Sequence, residues 1–312
     1  MKRNKHKDIN GWLVLNKPQG ITSNDAVIQT RKLFDANKNG HCGTLDPFAE
    51  GVLPIAFGEA TKLISLVADE TPKEYEFTLK FGEQTDTLDT EGSVVFRSEK
   101  IPSGEEIEKV IPLFMGRIKQ RPPVYSAIKV DGKRAYELAR EGKEIELKER
   151  EIVIYDLKLL EMLPDNQAKF IVSCSKGTYV RTLGKDIAEK VGSVGYLTKL
   201  VRTKCANFLL KDTILLENLK NMVYEDRCSN ALLPLEAPLR DIADLAVSEE
   251  DAAKLRQGQR ISPFSYDVRK LVGKTAAAFF DSCLVAIVKV EDKRISPLRV
   301  FNFLKKGKTD VD

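Results

Sequence analysis

The clearest hydrophobic pattern in the chain is the alternation that begins at Tyr75. Apolar side chains stand at every second position as far as Phe81, and Glu, Thr or Lys fills the positions between them. Because successive side chains of a strand point to opposite faces, this period of two predicts a strand with one apolar face. Shorter apolar runs predict further strands at residues 11–16, 151–160, 168–173 and 284–290.

Helical spacing follows the tetrapeptide Thr22-Ser-Asn-Asp25, which has the form of a capping box. Val27, Thr30, Leu33 and Phe34 then provide one apolar face. Further helices are predicted at residues 105–114 and at residues 252–257, where Ser248 is the cap and Gly258 the end. The Gly-, Asp- and Pro-rich segment 37–50 predicts a loop.

The length of 312 residues corresponds to about two domains. The chain changes character near Glu236-Ala-Pro-Leu239, and the remainder has the size of a very small β module. We therefore predict a first domain over residues 1–238 and a second over residues 239–312.

The composition is that of an ordinary globular protein, with 42% hydrophobic and 31% charged residues. No apolar run approaches the roughly 20 residues that a membrane span requires, so we expect no membrane association. The basic segment Met1–Asp8 is not followed by an apolar stretch of signal-peptide length, which favours a cytoplasmic protein. The net charge of +4 is too small to indicate a partner by itself.

Several familiar kinds of catalytic centre are excluded. There are only two histidines, His6 and His41, and the five cysteines form no CxxC pair, so we expect no metal site. No GxGxxG occurs, and Gly177 to Lys185 lacks the spacing of a phosphate-binding loop, so we expect no cofactor. The acidic segment 85–92 lacks the spacing of a calcium loop and is predicted to be a β-turn.

Two segments carry concentrated positive charge. Residues 116–150 contain ten Lys and Arg residues with Tyr125 and Tyr136 between them, a composition that suits a phosphate backbone with exposed bases and equally suits a solvated hairpin. Residues 289–308 contain seven basic and two acidic residues, and either a second nucleic-acid contact or a solvated terminus explains them.

The most informative segment spans Gly40 to Thr61. Its four glycines let the backbone approach a ligand closely, and Pro47 disfavours a helical conformation at Asp46. An Asp in such a loop can act as a nucleophile or a base. From the residues alone, the role of a turn-forming Asp is the better supported one.

Six motifs stand in order across residues 11 to about 205. They are Gly11-x-Leu-x-Leu-Asn-Lys17-Pro18-x-Gly20-x-Thr-Ser23, Gly40-His-x-Gly-Thr-Leu-Asp46-Pro-x-Ala-x-Gly-x-Leu, Lys73-x-Tyr75, Gly82-x-x-Thr85-Asp-Thr-x-Asp89, Gln120-x-Pro-Pro-x-Tyr125-Ser-Ala-x-Lys129 and Ser175-Lys-Gly177-Thr-Tyr179-Val-Arg181. Together, and in this order, they resemble the motifs of the TruB-type tRNA pseudouridine synthases. Leu255-Arg-Gln-Gly258-Gln-Arg260 resembles the start of the family's small RNA-binding module of PUA type.

The resemblance implies an α+β fold: a mixed, largely antiparallel sheet with flanking helices, followed by a small C-terminal β-barrel of PUA type. It also implies that the protein isomerises the uridine at position 55, in the T loop of tRNA, to pseudouridine. That reaction needs neither a cofactor nor a metal. The implied partner is the tRNA T stem-loop, and no protein partner is required.

The family's reactive residues match four positions of this sequence. The catalytic carboxylate falls on Asp46, whose role as nucleophile or base stays open. Tyr75 is expected to stack on the target uracil, and it is a candidate to help remove the C5 proton. Arg181 is expected to pair with Asp46 while Tyr179 lines the base pocket. Because they are two residues apart, we expect Tyr179 and Arg181 to face the same way in a strand.

Substrate contacts are implied at four further positions. His41 matches the residue that holds the T loop open while the target base is extruded. Lys17 is expected to support the active-site loop or to contact a phosphate, and Leu200 to form a pocket wall. Lys129 belongs to the basic segment 117–150, which resembles the family's mobile RNA-clamping insertion.

A different class of function also fits the basic segments. An RNA-binding or RNA-folding protein could grip the tRNA elbow with little or no catalysis. Binding alone does not require the set Asp46, Tyr75 and Arg181, and all three are present. The sequence therefore favours the enzyme.

Overall fold

A computed structural model of the chain describes residues 6–130, 132–143, 145–224 and 228–302, without the side chains of residues 69, 70, 223, 224 and 228. The strands in this part of the chain are β1 (Gly11–Lys17), β2 (Asn39–His41), β3 (Glu50–Phe57), β4 (Lys73–Phe81), β5 (Glu83–Thr85), β6 (Val94–Arg97), β7 (Gly116–Gln120), β8 (Lys129–Val130), β9 (Lys133–Arg134), β10 (Arg150–Leu163), β11 (Gln167–Cys174), β12 (Gly195–Cys205), β13 (Phe208–Leu209), β14 (Ile214–Leu215), β15 (Ala243–Ala246), β16 (Thr275–Phe280), β17 (Cys283–Glu291) and β18 (Arg294–Val300). The α-helices there are α1 (Ser23–Phe34), α2 (Ile64–Glu70), α3 (Gly104–Val110), α4 (Ala135–Arg140), α5 (Val180–Lys190), α6 (Leu216–Tyr224) and α7 (Glu249–Arg256).

The centre of the protein is a mixed sheet with the strand order β14-β1-β3-β12-β4-β11-β10-β7. The pairs β1–β14 and β3–β12 are parallel, and the other neighbours along this order are antiparallel. The predicted α+β class with a mixed, largely antiparallel sheet is therefore confirmed. The alternating strand, β4, lies between β12 and β11. It buries Tyr75, Phe77, Leu79 and Phe81 on one face, as the alternation predicts.

Helices cover the face of the sheet to which Phe77 and Leu79 point. Leu183 and Ile187 of α5 and Ala26 and Phe34 of α1 belong to the same buried cluster as these strand residues. The predicted capping box of α1 is present, since the Thr22 side chain accepts from the Asp25 backbone and the Asp25 side chain accepts from Thr22. These contacts hold the helices and the sheet in one core.

Two predicted elements differ in detail. The segment 37–50 is a loop except for β2, a short strand that pairs with β3, and for Glu50, at which β3 begins. The helix predicted at 105–114 is α3 followed by a 3-10 turn, Ile111–Phe114. The change to the tighter turn coincides with Pro112, which has no backbone N–H to continue the α-helical ladder.

The C-terminal region forms a separate four-stranded sheet, β15-β16-β17-β18, on which α7 packs. The small β module expected at this end of the chain is thereby found, and its sheet begins at Ala243. The domain boundary at residues 238/239 stays a prediction. Of the basic stretch 289–308, only residues 289–302 are described, and there Arg294 pairs with Glu291; the remainder lies outside the described residues.

The two sheets share a second buried cluster. Trp12 of β1 and Phe208 of β13 lie in it together with Leu284 and Ile287 of β17 and Phe301, which follows β18. Two hydrogen bonds reinforce the contact: Lys62 Nζ donates to the Val300 carbonyl at 2.9 Å, and the Asn302 amide donates to Glu59 Oε2 at 3.0 Å. The C-terminal unit is thus packed against the reverse side of the strands that carry the Asp46 segment.

Gly51 provides a test of the close contact between β3 and β12. Its φ is +107°, and an added Cβ would lie 2.4 Å from the Arg202 carbonyl oxygen. We expect Gly51→Ala to lower the free energy of unfolding by about 2–4 kcal/mol in urea denaturation, because backbone strain and overpacking both contribute. Gly142→Ala is the control, since φ is also positive there (+72°) but the space is open. Equal losses in the two variants would contradict the role of the contact.

Candidate active site

A cavity of about 290 Å³ opens in the sheet where β4 begins and where β11 and β12 end. These ends meet because β4 runs antiparallel to both of its neighbours. The loop between β2 and β3, residues 42–49, forms another side and is called the Asp46 loop below. Residues from five segments line the cavity: Gly43, Thr44, Leu45 and Asp46; Ala68, Lys73 and Tyr75; Ser126 and Ala127; Ser175, Lys176, Gly177, Thr178, Tyr179, Val180 and Arg181; and Leu200 and Arg202.

Arg181 pairs with two carboxylates at the edge of this cavity. Its Nη2 lies 2.8 Å from Asp46 Oδ2, and its Nη1 lies 3.1 Å from Asp89 Oδ2. The guanidinium also donates to the carbonyls of Thr87 (2.7 Å) and Tyr125 (3.0 Å). Arg181 and Asp89 are 4% and 2% exposed, whereas Asp46 is 35% exposed. The network therefore presents the Asp46 carboxylate to the cavity and keeps its two supports buried.

Asp89 has a second set of bonds that fixes its orientation. Its Oδ1 accepts from the Thr87 hydroxyl at 2.6 Å and from the Glu91 amide at 2.9 Å. The predicted turn over residues 85–92 is thus present. Burial raises the pKa of Asp89, and the bond from Thr87 and the charge of Arg181 oppose that rise. The buried Asp89 carboxylate and the buried Arg181 guanidinium therefore compensate each other's charge.

The segment from Tyr179 to Arg181 is not a strand, and that expectation is wrong. β11 ends at Cys174, Gly177 turns the chain with a φ of +80°, and Tyr179 is the N-cap of α5, so that Arg181 lies in the first helical turn. Gln120 at the end of β7 fixes this start. Its Nε2 donates to the Tyr179 carbonyl (3.1 Å), and its Oε1 accepts from the Tyr179 amide (2.8 Å). Both Tyr179 and Arg181 nevertheless line the cavity.

Buried side chains hold the backbone of the Asp46 loop. The Ser23 hydroxyl donates to the Leu45 carbonyl at 2.9 Å and accepts from the Leu45 amide at 2.8 Å. Arg202 Nη2 donates to the Gly43 carbonyl at 3.0 Å. These contacts act on both sides of Thr44 and immediately before Asp46, so they fix the direction in which the Asp46 side chain leaves the loop.

Lys17 is the third group that holds this loop. It is completely buried, and its Nζ donates to the carbonyls of Pro18 (2.8 Å), Ile21 (2.8 Å) and Pro47 (3.3 Å). Of the two roles expected for Lys17, the structure places it at the loop backbone rather than at a surface that a phosphate could reach. Burial lowers the pKa of Lys17 to about 8, although the charge of Asp46 acts in the opposite direction.

Tyr75 and Leu200 form one wall of the cavity. They are 7% and 4% exposed and lie on the neighbouring strands β4 and β12. Burial raises the pKa of the Tyr75 phenol, and the adjacent Arg202 guanidinium only partly offsets that rise. Tyr75 is therefore a neutral phenol at neutral pH, with its ring forming part of the pocket surface.

His41 and Lys129 lie away from the lining of the cavity. His41 ends β2, one residue before the Asp46 loop, and it is half-buried. Burial, assisted by the charge of Arg202, lowers the pKa of His41, so this side chain is neutral at neutral pH. Lys129 is exposed on the short hairpin β8–β9 within the insertion between β7 and β10.

The described side chains contain no group of three or more His, Cys, Asp or Glu residues that could hold a metal ion. Within the same part of the chain, no helix has the length and apolarity needed to cross a membrane.

Comparison with known proteins identifies relatives over nearly the whole chain. The family described as "TruB family pseudouridylate synthase (N terminal domain)" matches residues 31–180. A protein named tRNA pseudouridine synthase B from Caulobacter vibrioides is 43% identical over 306 residues, which cover 96% of this chain and 98% of that protein. The protein of the same name from Zymomonas mobilis is 42% identical over 305 residues, covering 95% and 97% respectively.

The chain belongs to the TruB family of pseudouridylate synthases.

Two solved structures illustrate the same fold. One is titled "Crystal Structure of a Cbf5-Nop10-Gar1 Complex", with a TM-score of 0.72, 24% identity and coverage of 94% of this chain and 84% of that one. Another is titled "Structure of H/ACA RNP bound to a substrate RNA containing 2'-deoxyuridine", with a TM-score of 0.73, 22% identity and coverage of 94% and 85%. At this low sequence identity, the structural similarity shows that the TruB family chain shares the fold of these proteins.

The structure brings together five of the positions predicted for a TruB family site: Asp46, Tyr75, Tyr179, Arg181 and Leu200 all line the cavity. It also adds residues that the sequence analysis did not assign to the site. Asp89 and Gln120 stood in the quoted motifs, so a signal for them was available. Ser23 also ended a quoted motif. Arg202 stood in none, and only the pairing of β12 with β4 shows its position.

Lys17 gives this TruB family protein a distinctive dependence of stability on pH. Its folded pKa of about 8 lies below the ordinary value of 10.5, so between these values the unfolded chain binds a proton that the folded chain does not. Stability therefore rises with pH across this window, by up to about 1.4 kcal/mol per pH unit for one group. We expect the free energy of unfolding of wild type to rise relative to that of Lys17→Met between pH 8 and pH 10. Parallel pH profiles for wild type and Lys17→Met would contradict this prediction.

Proposed function

We propose that this protein isomerises a uridine in the T loop of tRNA, at position 55, to pseudouridine, with Asp46 as the reactive carboxylate. The relatives named tRNA pseudouridine synthase B match it over almost their whole length. The observation that carries the proposal is the ion pair between Asp46 and Arg181, 2.8 Å long, at the edge of a cavity that also contains Tyr75.

The proposed reaction keeps the composition of the nucleotide unchanged. The N1–C1′ bond breaks, the detached uracil rotates, and C5 bonds to C1′. The proton on C5 is lost and N1 gains one, so no oxidant, reductant or further reactant is needed. Asp46 acts at the sugar, either by adding to C1′ or by removing the proton on C2′.

The geometry suits a carboxylate that must be held in place and stay accessible. Arg181 is almost completely buried and holds Asp46 through a 2.8 Å ion pair, while the carboxylate itself is 35% exposed to the cavity. Its second bond, to Asp89, keeps the guanidinium from following Asp46 when the carboxylate moves towards the sugar. In the proposed mechanism, Arg181 and Asp89 position the reactive group, and Asp46 contacts the reacting atoms of the sugar.

The target base must leave the T loop to enter a cavity of this size. Extrusion of a base costs a few kcal/mol, which new contacts must offset. We assign the stacking surface to Tyr75, the walls to Tyr179 and Leu200, and the group that occupies the vacated place in the loop to His41. Its neutral state at neutral pH suits a residue that inserts among stacked bases.

The basic insertion is proposed to clamp the RNA, with Lys129 among its phosphate contacts. Its root is bonded to the reactive network, because the Tyr125 carbonyl accepts from Arg181. Several of its charges are already paired with carboxylates in the free protein, such as Lys133 and Lys143 with Glu141. tRNA is the only partner that the proposal requires, and the cytoplasm is the proposed location.

Asp46→Asn tests the proposal directly. The change keeps size and removes the negative charge, so we expect the variant to fold and to bind tRNA but to lose turnover. The assay is tritium release from a tRNA transcript labelled at uridine C5, since bond formation at C5 expels that hydrogen. Asp35→Asn, an exposed Asp at the end of α1, is the control and should release about one equivalent, as wild type does. A wild-type protein that binds the tRNA without release would favour the RNA-binding alternative.

Arg181→Lys tests the network. Lysine cannot reproduce the planar fork that bridges two carboxylates and two carbonyls, so we expect turnover to fall about 100-fold or more. The matched control is Arg97→Lys, because Arg97 lies outside the basic insertion, is 76% exposed and pairs with Glu83. Near wild-type turnover in Arg181→Lys would count against the bridging role.

A further inference from the structure

The floor of the cavity carries two buried cations that the mechanism above does not use. Lys73 and Tyr75 lie two residues apart on β4 and therefore on one face. In the register of the sheet, Arg202 of β12 stands opposite Tyr75. Lys73 is 7% exposed, Arg202 is fully buried, and both line the cavity.

Neither cation forms an ion pair with a carboxylate among the side chains that the structure describes. Lys73 Nζ donates to the Ala68 carbonyl at 2.9 Å. Arg202 donates to neutral acceptors: its Nε to the Val52 carbonyl at 2.7 Å, its Nη2 to the Gly43 carbonyl at 3.0 Å, and its guanidinium also to the Tyr75 hydroxyl. Two positive charges are thus held by neutral acceptors in a site of low water content, which is a costly arrangement without a function.

The two cations lie on either side of one glycine. A Cβ added to Gly43 would lie 3.3 Å from Lys73 Cε and 3.4 Å from Arg202 Nη1. Gly43 therefore leaves open the space into which both cations face, next to Tyr75. The absence of a side chain at this position keeps the floor accessible to a bound base.

The opposite wall has a different charge balance. There Arg181 is matched by Asp46 and Asp89, so that three charged groups sum to −1. On the floor, one neighbouring thiol can reduce the positive charge: contact with the Cys42 thiol and the charges of Arg202 and Lys73 lower the pKa of Cys205, which in the structure donates to the Cys42 carbonyl at 3.6 Å. Even a fully ionised Cys205 neutralises one of the two cations. The cavity is therefore negative at the sugar-facing carboxylate and positive at the floor.

The proposed isomerisation generates an anion that fits this polarity. When N1–C1′ breaks, the electron pair of the bond stays on N1, and the detached uracil carries a negative charge spread over N1 and its carbonyl oxygens. The anion must persist while it rotates to present C5. A fixed cation in a water-poor site stabilises such a charge far more than water does, at no cost of reorganisation during the reaction.

We infer that Lys73 and Arg202 form an anion-stabilising floor that holds the detached uracil during its rotation, with Lys73 as the group that contacts it directly. Arg202 acts both on the base and through the loop carbonyls that it holds. This inference rests on the proposed function and extends it, because it assigns the stabilisation of the leaving group to residues other than Asp46, Tyr75 and Arg181.

The test uses Lys73, since Arg202 also holds the Asp46 loop. Lys73→Met removes the charge and keeps the length of the side chain, and Lys73→Arg keeps the charge. Lys80→Met is the matched control, because Lys80 lies on the same strand but on its partly exposed end, 3.2 Å from Glu83. Thermal melting checks that each variant folds, and Lys73→Gln replaces Lys73→Met if the latter does not.

Two RNA substrates separate leaving-group stabilisation from a general loss of structure. One carries uridine and the other 5-fluorouridine at the target position, and fluorine at C5 withdraws electrons and stabilises the uracil anion by itself. Single-turnover loss of the target nucleotide is followed by nuclease digestion and chromatography. We expect Lys73→Met to lower the single-turnover rate of conversion about 100-fold for the uridine substrate and about 10-fold for the fluorinated substrate, with tRNA affinity unchanged. Lys73→Arg should remain within about 10-fold of wild type on both.

The outcomes are distinct. Equal losses on both substrates, a loss confined to tRNA affinity, or wild-type rates in Lys73→Met would each overturn the inference and leave the proposed function intact. No isomerisation by wild type itself would overturn the proposed function, and the inference with it. A smaller defect on the fluorinated substrate, together with recovery in Lys73→Arg, would support both.

Discussion

The arrangement of this protein depends on the hydrogen bonding of one partly buried loop. The Asp46 loop connects β2 to β3, and its carbonyls at Gly43, Leu45 and Pro47 have no sheet partner, although Pro47 also accepts from the Gly20 amide. Buried carbonyls need donors, and side chains from three separate elements supply them. The donors are Arg202 from β12, Ser23 from α1 and Lys17 from β1. A loop that must be both irregular and rigid thus brings cations into the core of the sheet.

The same requirement sets the electrostatics of the cavity. Cations introduced to hold backbone carbonyls also act on any ligand beside them, because interior charges are poorly screened. Arg181 differs from the others in having two carboxylate partners, one buried and one facing the cavity. The distribution of charge in the pocket depends on which cations pair with carboxylates and which donate only to uncharged groups. Burying those charges costs stability, but it leaves them fixed in place, so the site needs little rearrangement during the reaction.

Local signals in the sequence were sufficient for much of the fold. The alternation in β4 and the capping box of α1 appear as predicted, because each depends on neighbouring residues. The start of α5 was misjudged as a strand, since Thr178, Tyr179 and Val180 favour extended structure. The two bonds from Gln120, 59 residues away in sequence, decide that conformation instead. The sequence around Asp89 predicts a turn, and this local role gave no indication of its ion pair with the distant Arg181. The position of Arg202 in the site becomes apparent only from the pairing of β12 with β4.

The buried cluster shared by the two sheets links the stability of one sheet to that of the other. Cys42, which precedes the Asp46 loop, and Phe301, near the end of the described chain, belong to the same apolar cluster. Removing the C-terminal sheet would uncover Trp12 and Phe208 on the back of the strands that carry the site. The appended unit therefore also covers the apolar back of the strands that carry the site, so a change that weakens this contact acts on the stability of the site itself.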